Sequence, residues 1–576
     1  MLAHGKITQA DYDAAIGTEV VPSITERPVG CDIAEARRNL GYFCDYVQRY
    51  ILNDPNFGDS TKERQFNFQR GGFDIYTSID LDLQESGINA MRANVPAVMD
   101  GIDIGSAAVS VEPGTGRVLT MIQNRFFTAD PEVAKLGNEY TGINYNTDFE
   151  YGGSGGFQVG STFKAITLAE WLRSGRSVKE IVNTNGRTEQ FQNFSARCLD
   201  EGIYGYGNWT FQNDQGRQAG SQTVEYAMEQ SLNGGLVSMQ QQLDLCDTFD
   251  TAQKLGLHRA TEQNFNESQN NYGTRDLAIL PSTIYAGTDE IAPITMAAAF
   301  AAFANGGKLC TPVPIDAIKS PDGKDVPFTR SKCSQAVSPE VAAGVTYVLQ
   351  NAVNRGVASH ARSSSGVPHF AKTGTTDDVK DNWTIGGSSK VTTAVWVGNV
   401  TGNVSTMNFG GWGGLMAADQ SIWPAIMNAA DQKYGGDPFA EPSSVALRVV
   451  AQDVPDTTGQ DVASATKLLK AAGFTVEDGG ETDSLLAEGL VTETSPAAGT
   501  SAPAGSAVKI FRSGATLATV PDVVGEFGKK AASRLRDAGF VDISVPKECA
   551  AEKVSAVTPV PGTSTRKSDT VTLACR

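Results

Sequence analysis

Apolar and polar positions alternate with two different periods along this chain. Over residues 71–80 the period is two, as in a half-buried strand, and a turn follows. Residues 81–95 then take the longer period of a helix. Residues 107–122 form two β-rich runs around Pro113-Gly114-Thr115-Gly116, which predicts a hairpin. A second sheet signal lies far downstream, at residues 384–387 and 391–398, with Lys372-Thr373-Gly374-Thr375 on the strand before them. Helical patterns dominate between the two, from 161 to about 349. Within that stretch, residues 165–172 carry few polar groups and read as a largely buried helix. Strands at both ends of a mostly helical middle predict an α/β sandwich whose sheet is completed by distant segments.

The flanks show other patterns. Residues 5–15 read as a helix with Thr8 as N-cap and Asp11 three residues on. Residues 31–50 give a second helical stretch, with Tyr42, Phe43, Tyr46 and Tyr50 at packing positions. After about Pro442 come two similar segments in tandem. Pro455 and Pro521, like Phe474 and Phe540, lie 66 positions apart. A repeat of that length with matched landmarks is a duplicated domain. Each copy reads as a short strand, a helix ending at Gly473 or Gly539, and strands around a Pro-x-x-Gly turn. The domain expectation is therefore 1–65 as a connector, 66–442 as the main domain, and 445–514 and 515–576 as the two repeats.

Composition narrows the function classes. The net charge of −18 argues against a nucleic-acid partner, which needs clustered lysine and arginine. Four histidines without ligand spacing, and cysteines without paired CxxC spacing, predict no metal centre and no cofactor. The eight cysteines group locally, and proximity suggests Cys31 with Cys44, Cys198 with Cys246, Cys310 with Cys333, and Cys549 with Cys575, one of roughly a hundred connectivities. An even count without metal spacing favours an oxidising, extracytoplasmic compartment. The chain has no apolar run near 18 residues and no signal-peptide pattern. The expectation is a chain that begins inside a larger one and meets the membrane only through an N-terminal anchor missing here.

The chemistry centres on Gly160-Ser161-Thr162-Phe163-Lys164. Serine and lysine three apart share a helix face, and a lysine with a lowered pKa can serve as base to a serine nucleophile. Ser464/Lys467, Ser506/Lys509 and Ser564/Lys567 have the same spacing and no comparable context. Two downstream motifs set Ser161 apart: Ser231-Leu232-Asn233, then Lys372-Thr373-Gly374-Thr375. Ser268-Gln269-Asn270 also fits the second element but lies in a polar loop, whereas apolar turns flank Ser231.

Serine-x-x-lysine, serine-x-asparagine and lysine-threonine-glycine in this order resemble the signature of penicillin-binding proteins and class A β-lactamases. Val111-Glu112-Pro113-Gly114-Thr115-Gly116 and Asp381-Asn382-Trp383 add a resemblance to the transpeptidase region of bifunctional, class A penicillin-binding proteins over about residues 70 to 440. The helix at 5–15 resembles the last helix of their glycosyltransferase domain. Val159 and Ala165 stand where that family commonly has proline. The paired repeats resemble PASTA domains.

The resemblance implies an antiparallel sheet flanked by helices, as in serine β-lactamases and transpeptidases, followed by two small α+β PASTA domains. It implies a D,D-transpeptidase that cross-links peptidoglycan stem peptides ending in D-Ala-D-Ala and is acylated by β-lactams. Ser161 would be the nucleophile and Lys164 its base. Ser231 would relay a proton to the leaving amine, Asn233 would hold Lys164 and the substrate amide, and Lys372 would add positive potential. Thr373, Gly374 and Thr375 would bind the substrate carboxylate. The N–H groups of Ser161 and Thr375 would form the oxyanion hole. The repeats would hold muropeptides; a spacer role fits them equally. The other readings are a D,D-carboxypeptidase or β-lactamase, and a non-catalytic peptidoglycan-binding protein.

Overall fold

A computed structural model describes residues 1–19, 21, 30–263 and 273–576. Its centre is a five-stranded antiparallel sheet. The strands are β1 (Ile104–Val111), β2 (Val118–Gln123), β3 (Phe370–Thr375), β4 (Asp381–Gly387) and β5 (Thr392–Asn399), in the spatial order β3-β4-β5-β1-β2. The long middle of the chain therefore leaves the sheet after β2 and returns as an edge strand, β3. Nearly every sheet residue is buried, so both faces are covered. The pleat sorts them: Ala394 and Trp396 belong to one core, Val395 and Val397 to the other.

Helices α1 (Leu81–Asn94) and α7 (Asp419–Tyr434) pack on one face. Asp80 caps α1 by accepting from the N–H groups of Asp82 and Leu83. The other face meets α5 (Pro293–Ala304), which has proline at its first position and is buried on all sides from Pro293 to Phe303. Around it lie α2 (Lys164–Arg173), α3 (Val224–Glu229), α4 (Asn233–Gln240) and α6 (Pro339–Arg355). The middle also holds strands that periodicity did not signal, the pairs Ile181–Asn183 with Ser221–Thr223 and Arg187–Gln190 with Asn208–Phe211.

Thr8 caps the helix Gln9–Ile16 through a capping box with Asp11. The tyrosine-rich helix Gly41–Leu52 packs Tyr42, Phe43 and Tyr46 into the main core. Each C-terminal repeat has a three-stranded sheet, a two-stranded sheet and one helix, Val462–Ala471 or Gly528–Asp537, around its own small core. The first repeat touches the main domain, where the Ser221 hydroxyl donates to the Ala471 carbonyl at 3.1 Å. Disulfides join Cys31–Cys44, Cys198–Cys246, Cys310–Cys333 and Cys549–Cys575, the pairing expected from proximity. Among the described residues no helix is long and apolar enough to cross a membrane.

Candidate active site

Ser161, Ser231 and β3 come from three separate segments, and packing brings them to one groove. The segment before Ser161 is held by the sheet. Trp383 Nε1 donates to the Gln158 carbonyl at 2.8 Å, and Phe157 stacks on Trp396 at 3.4 Å. Residues Gly160–Phe163 form a 3-10 turn, and α2 begins at Lys164. Ser161 thus sits before the α-helix, not on its face as the spacing suggested. Gly160 has φ +57, and a Cβ there would lie 2.8 Å from the Thr375 carbonyl oxygen. A Cβ on Gly374 would lie 2.7 Å from the Val159 carbonyl oxygen. Two glycines therefore let the serine turn lie directly against β3.

Ser231 occupies the short link between α3 and α4 with φ 53, a left-handed conformation unusual for serine. That backbone aims both of its oxygens at Lys164. The Lys164 ammonium donates to the Ser231 carbonyl at 2.7 Å, the Ser231 hydroxyl at 3.1 Å and Asn233 Oδ1 at 2.6 Å. Lys372 donates to the same Ser231 hydroxyl at 2.8 Å and to the Thr373 carbonyl at 2.9 Å. One hydroxyl is shared by two lysines, and both lysines are fully buried.

Burial is the main cause that holds Lys164 well below the ordinary lysine range, and the Lys372 charge adds to it. Burial pushes Lys372 down to about 7. Within the described residues the Ser161 hydroxyl makes no hydrogen bond, although it lines the groove. Lys164 is committed to Ser231 and Asn233 in this state, and catalytic contacts often tighten only when substrate is bound.

The groove encloses about 520 Å³, and Ser161, Ser231, Asn233, Thr373 and Thr375 all face it. Gly374 acts through close approach instead. Sequence reasoning missed the groove's roof, the loop after Asn208–Phe211. There Gln212 accepts from Asn233 Nδ2 at 2.7 Å, and buried Asn213 accepts from the Gly234 N–H at 3.1 Å. The Asn233 side chain is thereby held from both ends inside the protein. Asp381 and Trp383, family-like but without a role in the sequence, support the site from below. Asp381 accepts from Trp396 Nε1 at 2.9 Å and from its partner Thr376. Ser268-Gln269-Asn270 lies outside the described residues. Among the described residues no cluster of metal-ligating side chains occurs.

Comparison with known proteins places the domains that carry these residues. The profile of the penicillin binding protein transpeptidase domain matches residues 106–411, just over half of the chain, and that of the PASTA domain matches 452–514 and 518–574. Penicillin-binding protein 1A/1B of Bacillus subtilis is 27% identical over 396 residues, 66% of this chain and 37% of that protein. Penicillin-binding protein 1A of Mycolicibacterium smegmatis is 24% identical over 466 residues, 77% of this chain and 51% of that protein. The chain thus spans about a third to a half of the length of these relatives. Among solved structures, penicillin-binding protein PonA1 of Mycobacterium tuberculosis superposes with TM-score 0.52 at 21% identity, covering 69% of this chain and 94% of that one. Penicillin-binding protein 1A of Haemophilus influenzae gives 0.55 at 16% identity, covering 79% and 77%. At these identities the structural likeness establishes the fold.

Proposed function

We propose, from the premise that this chain belongs to the penicillin-binding protein transpeptidase family and ends in two PASTA domains, that it cross-links peptidoglycan stem peptides through an acyl-enzyme on Ser161. The observation that carries this reading is the pair of buried lysines sharing the Ser231 hydroxyl beside a groove that Ser161 lines.

The chemistry rests on proton positions. A neutral Lys164 has two N–H groups and one lone pair. The Ser231 carbonyl and Asn233 Oδ1 take the two N–H groups. Ser231 accepts from Lys372, so its own proton points at the Lys164 lone pair. Rotation of that lone pair towards Ser161 makes Lys164 the general base. Ser161 Oγ attacks the carbonyl of the penultimate D-alanine, and its proton passes to Lys164. Collapse of the tetrahedral adduct breaks the peptide C–N bond. The proton returns from Lys164 through Ser231 to the leaving amine. Lys372 keeps Lys164 poor in protons and, with Thr373 and Thr375, attracts the terminal carboxylate. An amine from a second stem peptide then displaces Ser161 Oγ. A β-lactam enters by the same first step; PonA1 has been solved in complex with penicillin V. The class A relatives support a cell-envelope setting for this work.

Intact-mass spectrometry after penicillin treatment tests the reading. One adduct on the folded wild type, absent in Ser161→Ala, is expected. No adduct on folded protein overturns the enzyme reading, and loss of the adduct within seconds would replace cross-linking by hydrolysis.

A further inference from the structure

The link between α3 and α4 suits glycine and holds serine. The Ser231 N–H donates to the Met228 carbonyl at 3.1 Å, and the Leu232 N–H to the Ala227 carbonyl at 2.8 Å. This pair of bonds closes α3 with one left-handed residue just past its end, a place glycine fills most readily. Ser231 stands there at φ 53. Glycine has no hydroxyl, and the Ser231 hydroxyl is the group that Lys164 and Lys372 share. The residue the chemistry needs is thus one the backbone disfavours. Such a conformation persists only where its neighbours over-determine it.

Residues 212–217 lie across both sides of the link. On the α3 side, Arg217 donates to Gln230 Oε1 and to the Tyr226 hydroxyl, each at 3.1 Å. On the α4 side, the Gln212 carbonyl accepts from Asn233 Nδ2, and Asn213 Oδ1 accepts from the Gly234 N–H. Asn213 ties the two arms together. It is 4% exposed. Its Nδ2 donates to the Arg217 carbonyl at 2.6 Å and to the Thr184 carbonyl at 2.8 Å. Both amide protons and the amide oxygen are therefore used inside the protein. An aspartate there would set its carboxylate against two carbonyls, and an aliphatic side chain would leave all three partners unpaired. The Thr184 carbonyl is also the group that a Cβ on Gly234 would meet at 2.3 Å, so the amide sits at the seam where α4 begins.

We propose that Asn213 is a positioning residue for acylation: it clamps residues 212–217 across the α3–α4 link and keeps Ser231 left-handed, with its hydroxyl between the two lysines. This goes beyond the acyl-enzyme reading above and rests on it. In this role Asn213 acts through Ser231 and not on the reacting atoms. Without the amide the two arms separate, Ser231 relaxes towards an ordinary φ, and its hydroxyl and carbonyl turn away from Lys164.

The experiment places Asn213→Ala in two backgrounds of the full chain, wild type and Ser231→Gly. It reads single-turnover acylation by a fluorescent penicillin, followed long enough to record very slow rates. Glycine takes a left-handed φ without help and keeps the carbonyl that Lys164 touches. Asn213→Ala slows acylation about tenfold beside Ser231, the order of one net hydrogen bond lost from the arrangement, and less than about twofold beside glycine. A general weakening of the fold lowers the rate by the same factor in both backgrounds. Equal factors, or no loss beside Ser231, overturn the proposal. Hydrogen exchange of the Leu232 N–H, which closes the link, gives the same comparison without activity if Ser231→Gly is inert: Asn213→Ala speeds it beside Ser231 and not beside glycine. Arg217→Met cuts only the exposed α3 arm and carries the comparison if Asn213→Ala does not melt cooperatively, with about threefold expected beside Ser231 and no loss beside glycine. No adduct on folded wild type would instead overturn the acyl-enzyme reading.

Discussion

Replacing Lys372 by methionine removes one charge and keeps the side-chain length. Lys164 and Lys372 lie 3.1 and 2.8 Å from the same Ser231 oxygen, so their nitrogens are at most about 6 Å apart. Coulomb's law at an effective dielectric of about 20 gives roughly 3 kcal/mol of repulsion at that separation. That equals about two pH units of bias towards neutral Lys164. The direct assay is the single-turnover rate of Ser161 acylation by a fluorescent penicillin, followed across pH. In the wild type the rate rises as Lys164 loses its proton, and declines as Lys372 loses its own above about 7. In Lys372→Met the acid limb moves up by about one to two units and the alkaline decline disappears. Lys372→Arg keeps a charge at all accessible pH, so it holds the acid limb low and also removes the alkaline decline. An acid limb that stays in place in the methionine variant, or moves to lower pH, would refute the charge argument. A loss of overall rate would not decide it, because Lys372 also touches Ser231.

Two further outcomes test the frame around the site. Gly160→Ala places a Cβ 2.8 Å from the Thr375 carbonyl oxygen at φ +57, so it should displace β3 from the serine turn and slow acylation about a hundredfold; a rate within twofold of wild type would mean the close approach is dispensable. Asp419 is buried and accepts from the Thr384 hydroxyl at 2.6 Å, and burial pushes its carboxyl up to about 7. The folded protein then keeps a proton that the unfolded chain releases above about pH 4, so this group lowers stability progressively as pH rises from about 4 to 7. Asp419→Asn should raise the melting temperature at pH 8, with a ceiling of about 4 kcal/mol, and leave it nearly unchanged at pH 4; an equal gain at both pH values would exclude the titration as cause.

What could be read in the sequence was what is written locally. Ser161, Lys164, Ser231, Asn233 and Lys372-Thr373-Gly374-Thr375 carry their chemistry in short spacings, and the hairpin of β1 and β2 announces itself by alternation and a Pro-Gly turn. The 3-10 turn at Ser161 was not legible, because Gly160 takes φ +57 in response to Thr375, more than two hundred residues away. The roof formed by Gln212 and Asn213 was hidden for a similar reason. Its strands are short, and the loop takes its place from distant partners, Asn233 and Gly234 on one side and the Thr184 carbonyl, which accepts from Asn213 Nδ2 at 2.8 Å, on the other. Trp383 has no role in the sequence, and Trp396 only a place on a strand, until Phe157 and Gln158 are seen to rest on them.

The pairing of β1 with β5 joins Ile104 to Asn399, and this has a consequence for biogenesis. During synthesis the β1 edge emerges nearly three hundred residues before the strand that covers it. At about 5–20 residues per second that interval lasts on the order of 15–60 s. Throughout it, a nascent hairpin with apolar faces and an open edge must be shielded by another protein or remain unfolded. The nucleophile exists in the growing chain well before the surface that activates it, so chemical competence arrives only once residue 399 has emerged and the last strand has zipped into place.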